Sequence, residues 1–124
     1  MPGCPCGFGE PYESCCGRYH RGELQPPTAE ALMRARYSAF ALGNDAFLRD
    51  TWDAGSRPAG SLIDPELTWT GLSVTARSGG GLLEQHGTVE FTARYQRPDG
   101  SSGRLRERSR FVRGRDGWRY LGPA

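Results

Sequence analysis

Four cysteines crowd the first sixteen positions of this chain: Cys4-x-Cys6, eight residues, then Cys15-Cys16, with His20 four residues further on. In the reducing cytosol, the compartment expected here, such clustering reads as metal ligation before it reads as disulfides. A bond between adjacent Cys15 and Cys16 would be strained. Four thiolates can instead close a tetrahedral shell, and soft sulfur ligands favour zinc. Gly7 and Gly9 let the intervening loop wrap, and Arg18 and Arg21 offset the thiolate charge. A segment this short has no core of its own, so metal binding would supply its folding energy. His20 stays open at this point. It can replace Cys16 as fourth ligand, sit behind the ligands, or do neither.

The remainder has to fold on a lean core. Of 124 residues, 20 are Leu, Ile, Val or Phe, about a sixth and under the ~20% at which order is in question. Thirteen aromatic residues and a net charge of only +2 restore the case for one folded domain, helped by a metal or by a second copy as a homodimer. No apolar run approaches the ~18 residues of a membrane span. The start, Met1-Pro2-Gly3-Cys4-Pro5-Cys6, has neither the basic nor the apolar region of a signal peptide. A cytoplasmic protein is therefore expected. All sixteen basic residues are Arg, yet the charge balance is too mild to imply nucleic acid by itself.

The pattern divides the chain into a cysteine segment, 1–24, and an α+β domain, 28–124. Gln25-Pro26-Pro27 forms a stiff connector. Thr28 is placed to cap a helix over Ala29 to Leu42, whose Leu32, Met33, Tyr37 and Phe40 fall at helical spacing until Gly43-Asn44 stops it. A second helix is expected over Asp45 to Asp53. Strands follow over Glu66 to Arg77, with a bulge at Gly71, over Leu83 to Gln96, over Arg104 to Arg113, and over Trp118 to Leu121, joined by glycine-bearing turns. Helices first and an antiparallel meander after them make the α+β class.

Two features stand out inside that frame. At about 100° per residue, Arg36 falls in the middle of the apolar stripe of the first long helix, between Leu32 and Phe40. A guanidinium there needs a buried partner. The third strand offers one, because Leu105, Glu107, Ser109 and Phe111 share its inward face. The spacing predicts an Arg36–Glu107 ion pair, bidentate where geometry allows. It stands either as a structural clamp or as the polar floor of a pocket lined by Tyr37, Trp52, Trp69, Tyr95, Ser109, Trp118 and Tyr120. No Ser-His-Asp set is in view with two His and no elbow motif, and an ion-paired Glu107 makes a poor general acid, so the reading leans away from an enzyme. The second feature is the opposite face of the same strand. There Arg104, Arg106, Arg108 and Arg110 stand roughly 6.6–6.8 Å apart, near phosphate spacing, either as a solvated face or as a track for single-stranded RNA. His86 is expected to be exposed.

Cys4-Pro5-Cys6-Gly7-Phe8-Gly9, Tyr12 and Cys15-Cys16-Gly17 resemble the SEC-C zinc motif, with Phe8 where Ser is usual. The likeness runs on through Pro27 to Phe40, Thr51-Trp52, Glu107-Arg108-Ser109-Arg110-Phe111 and Trp118-x-Tyr120, which resemble the YchJ family over nearly the whole chain. Asp53 departs from the His that many members carry. The resemblance implies a nuclear transport factor 2-like cone, with helices packed on a curved antiparallel sheet, behind a structural zinc knuckle. SEC-C motifs contact partner molecules, so it also implies an interaction or adaptor module with a protein partner. A small-molecule or catalytic cone and an RNA-associated protein are the alternatives.

Overall fold

The structure, a computed structural model, describes residues 3–124. Three α-helices lead into a four-stranded antiparallel meander. After a short 3-10 turn at Tyr12–Ser14 come α1 (Cys16–His20), α2 (Ala29–Leu42), α3 (Asp45–Asp50), β1 (Thr68–Gly79), β2 (His86–Gln96), β3 (Ser102–Gly114) and β4 (Gly117–Pro123). Strand order in the sheet follows sequence order, each strand pairing with the next. The main helix is placed as the sequence dictates. The Thr28 hydroxyl accepts from the Ala31 N–H at its start, and Gly43, at φ +75°, turns the backbone left-handed at its end, where L side chains are strained. Helix α2 packs across β1, β2 and β4. Leu32, Leu48, Val89, Phe111 and Trp118 are almost fully buried in this layer.

Element boundaries depart from expectation for visible reasons. Helix α3 stops at Asp50 rather than Asp53 because the next residues are claimed by the sheet. The Tyr120 N–H donates to the Thr51 carbonyl and the Asp53 N–H to the Tyr120 carbonyl, each at 2.8 Å. Trp52 thereby forms a parallel bridge with Tyr120. Strand β2 begins at His86 rather than Leu83 because Glu84 folds its carboxylate back onto the Gly81 N–H, leaving Leu83 in solvent at 93% exposure. Strand β1 starts at Thr68 because Asp64 to Leu67 forms a turn, with the Asp64 carboxylate accepting from the Glu66 N–H. The bulge beside Gly71 is present, a register shift between Trp69 and Gly71 opposite Arg94.

The cysteine segment docks on α2 and shares its core. Arg34 Nη1 donates to the Cys6 carbonyl at 2.8 Å, the Cys4 sulfur and the Ser38 hydroxyl lie 3.3 Å apart, and His20 Nε2 meets the Ala35 carbonyl at 2.8 Å. Three contacts within about one helical turn, at Arg34, Ala35 and Ser38, thus fix the knuckle to one side of α2, while the sheet occupies the other.

Candidate metal centre and cavity

All four cysteine sulfurs converge. They are buried, unbridged, and lie within 4.8 Å of one another, with the Cys6 and Cys15 sulfurs 3.7 Å apart. Bonds of about 2.3 Å in a tetrahedral zinc–thiolate shell place sulfurs about 3.8 Å apart. The set is therefore consistent with a four-coordinate metal site. Its electrostatics point the same way. Cys16 and Cys6 turn S–H donors toward Cys4 and hold it well below the ordinary thiol range. Burial and the neighbouring Cys6 push Cys15 up to about 12, and hydrogen bonding with Cys4 and Cys6 sends Cys16 far above its ordinary value. Cys15 and Cys16 thus resist ionising beside their neighbours, and a set of four thiolates needs a bound cation. Cys4, Cys6, Cys15 and Cys16 would hold such a metal; with all four positions filled by protein, its chemistry is structural.

His20 takes neither of the metal roles considered for it. Its Nδ1 accepts from the Tyr12 hydroxyl at 2.6 Å and its Nε2–H donates to Ala35, while its ring packs on Phe47 at 4.5 Å. Burial lowers its pKa and favours the neutral imidazole that this bonding requires.

The second centre lies between α2 and the concave side of the sheet. A cavity of about 240 Å³ opens there, walled mainly by Met33, Tyr37, Phe40, Trp52, Trp69, Phe91, Leu105 and Phe111, with Arg36, Glu107, Ser109 and Tyr120 as its polar groups. The expected Arg36–Glu107 ion pair is not made. Arg36 Nη1 instead donates to the Leu48 carbonyl at 2.7 Å and to the Thr51 hydroxyl at 2.8 Å, both at the end of α3. Its guanidinium stacks over Tyr120 at 4.5 Å and over Trp52 at 5.4 Å. Glu107 takes its bonds from the Ser109 hydroxyl and, at 2.7 Å, from the Tyr120 hydroxyl. Tyr120 thus stands between the two charges, with its face to the cation and its hydroxyl to the anion. Burial lowers the Arg36 pKa to about 10, which leaves it charged at neutral pH. Burial, reinforced by the bond to Glu107, raises the Tyr120 pKa and keeps the phenol protonated.

Two expected lining residues are placed elsewhere. Trp118 is buried behind the cavity, where its indole N–H donates to the Pro27 carbonyl at 3.3 Å and the Arg113 guanidinium covers its ring. Tyr95 backs the outer edge of Trp69 at 5.4 Å and lies across Gly103 on the neighbouring strand, outside the cavity wall. Tyr37, Trp52, Trp69, Ser109 and Tyr120 do line it.

The family's middle domain, described as the YchJ middle NTF2-like domain, matches residues 28–123. The chain belongs to the YchJ family. It is 47% identical to a UPF0225 protein of Streptomyces coelicolor over 119 residues, 96% of this chain and 92% of that one. It is 53% identical to a UPF0225 protein of Cupriavidus pinatubonensis over 110 residues, 89% of this chain and 75% of that one. Among solved structures it resembles a SEC-C motif containing protein from Rhodopseudomonas palustris, with a TM-score of 0.85 and 33% identity, covering 99% of this chain and 98% of that one. A SEC-C motif containing protein from Psychrobacter arcticus gives 0.79 and 30%, covering all of this chain and 82% of that one. The expected α+β, NTF2-like class and the SEC-C resemblance of the cysteine segment hold.

In this YchJ chain the arginine row is as exposed as its alternation implies. Arg104, Arg106, Arg108 and Arg110 all face solvent, and Arg94 joins them across the register opposite Arg104. Among the described residues Glu90 is the carboxylate that pairs with this row, reaching Arg106 at 3.5 Å. His86 is exposed, and no helix among the described residues is long and apolar enough to cross a membrane. Sequence reasoning missed Ser38 beside the metal cluster and Thr51 beneath Arg36. Thr51 had one signal, its place next to Trp52 in the quoted family pair. Ser38 had another, lying one helical turn beyond Arg34 on the face of α2 that the knuckle covers.

Proposed function

We propose that this protein is a small-molecule-binding cone stapled by a structural zinc ion. The cavity with a charged but ion-unpaired Arg36 in its wall carries the reading: Arg36 is 5% exposed, and no carboxylate lies within salt-bridge distance of it among the described residues. A cation held that deep without a counter-ion is costly for a merely structural residue. The zinc assignment follows from the all-sulfur, closed set of four. Its position supports a stapling role, since the knuckle spends its contacts on the helix that carries Arg36 and Tyr37. The adaptor expectation keeps the knuckle's tip, where Phe8 is 64% exposed.

Native mass spectrometry of protein purified without chelator reads both parts. The expected spectrum shows one zinc per chain and a small organic guest retained by the wild type and lost from Ala93→Leu, which fills the cavity. Folded protein free of metal overturns the staple, and an adduct that survives the filling substitution places the guest elsewhere. Cys16→Ser should lose the metal and several kcal/mol of stability, as removal of a structural ligand does.

A second reading rests on the outer face of the sheet. Five exposed guanidiniums against one carboxylate form a basic plane suited to a single-stranded RNA backbone. The same plane opposes a homodimer through that face, because two copies would set like charges against each other.

A further inference from the structure

The cavity's polar edges define what it would hold, an inference that rests on the ligand-binding reading above. Arg36 uses only Nη1 on the protein; among the described residues its Nε and Nη2 bond to nothing. Tyr120 and Trp52, whose rings meet edge to face 4.8 Å apart, lie together on one side of its guanidinium. No fully enclosed polar side-chain atom lacks a partner, so the free N–H edge keeps open surface, and the cavity is the open space that Arg36 lines. Glu107 shows the complementary state. Both hydroxyl donors fall on its Oε2, and Oε1 accepts nothing among the described residues. The cavity therefore offers a planar donor edge with a full positive charge at one place and an open carboxylate oxygen at another. Between them the walls are aromatic and aliphatic: Tyr37, Trp52, Trp69 and Phe91.

We infer that the guest is a single-ring aromatic carboxylate bearing a hydroxyl or amino donor. Its carboxylate sits on the Arg36 edge, its ring lies among the aromatic walls, and its donor reaches Glu107 Oε1. Size agrees: about 240 Å³ is just under the ≈ 300–1,000 Å³ of pockets for drug-sized ligands, room for one ring and not for a nucleotide. Charge agrees as well. A planar guanidinium edge matches a carboxylate by two parallel hydrogen bonds. The Ser109 and Tyr120 hydroxyls offset part of the Glu107 charge, and the guest's own donor offsets it further at the open oxygen.

The three tryptophans make the test internal. Trp52 and Trp69 line the cavity and Trp118 does not. Their indole N–H resonances in the zinc-loaded full chain are followed by NMR during titration with benzoate, 3- and 4-hydroxybenzoate, and benzyl alcohol as the uncharged probe. The expected result is a saturable shift of the Trp52 and Trp69 signals with Trp118 unmoved. A hydroxybenzoate should bind at least tenfold more tightly than benzyl alcohol, with benzoate between them. Arg36→Met should abolish the preference for the acids while leaving benzyl alcohol bound. If that variant does not fold, the wild-type order of the four probes still decides. Benzyl alcohol binding as tightly as the acids overturns the carboxylate assignment and leaves the cavity reading standing. Probes that move neither Trp52 nor Trp69 overturn both.

Discussion

Arg36 is held by oxygen dipoles and aromatic faces instead of a carboxylate, and that difference is measurable. Groups that share a partner or a cavity couple by roughly 0.5–3 kcal/mol, and a direct charged contact belongs at the top of that range while one relayed through Tyr120 belongs at the bottom. In a double-mutant cycle of Arg36→Met and Glu107→Gln, urea unfolding should give an interaction energy below about 1 kcal/mol. A value near the 3–5 kcal/mol of a broken buried pair would restore the ion pair. The position of Arg36 inside the apolar stripe was legible from helical spacing alone. Its partner was not, because alternation along β3 tells which way Glu107 faces and nothing of how near the end of α3 comes. His20 offers a pH test on the other side of the same helix. Its pKa is lowered from 6.5 by burial, so the unfolded chain takes up a proton first as pH falls. The stability that neutral His20 contributes is full above about pH 6.5 and is lost on acidification below it. The stability difference between wild type and His20→Gln should therefore move in the variant's favour between pH 7.5 and 5.5. Acid release of the metal is common to both proteins and cancels in that difference.

At the level of elements, the β1–β2 connection is bound by backbone contact to the start of α2. The Ala29 N–H donates to the Gly80 carbonyl at 3.0 Å, and a Cβ placed on Gly87 would meet the Gly80 backbone at 2.5 Å. Neither contact can give way by turning a side chain. Gly87→Ala should cost about 2–3 kcal/mol in urea unfolding, the scale of overpacking. A loss under 0.5 kcal/mol would show that this loop does not clamp the helix. The meander and the main helix were readable because alternation, capping and glycine turns agree there. The C-terminal end of α3 and the start of β2 were not, because they are set by long-range pairing with Tyr120 and by a side chain folding back from Glu84. No local pattern encodes either. The clustering of the four cysteines was the most legible feature of all, since the chain places the two cysteine pairs only eight residues apart. The cavity was half legible: five of its seven expected aromatic and hydroxyl residues line it, and Trp118 and Tyr95 fall outside because the parity of a strand gives a side and not a depth.

For the whole molecule, the sheet separates two surfaces of opposite character, an aromatic concave side and an arginine-covered outer side. If the outer side tracks a single-stranded backbone, each arginine removed should release fewer counterions, by about 0.7 in the slope of log K against log salt. For an oligouridylate, Arg106→Gln with Arg108→Gln should flatten that slope by about 1.4 without changing thermal stability. An unchanged slope, or binding that ignores salt, removes the RNA reading.

Helix α2 has the metal cluster on one flank, through Arg34, Ala35 and Ser38, and the cavity on the other, through Met33, Arg36 and Tyr37. Any coupling between a metal in the cluster and a guest in the cavity, carried across this one helix, acts by the same factor in both directions. Whatever amount a filled cysteine cluster tightens the grip on a guest, the guest tightens the grip on the metal. Depleting the ion would then empty the cavity early, and a guest in excess would slow the loss of the ion to a chelator.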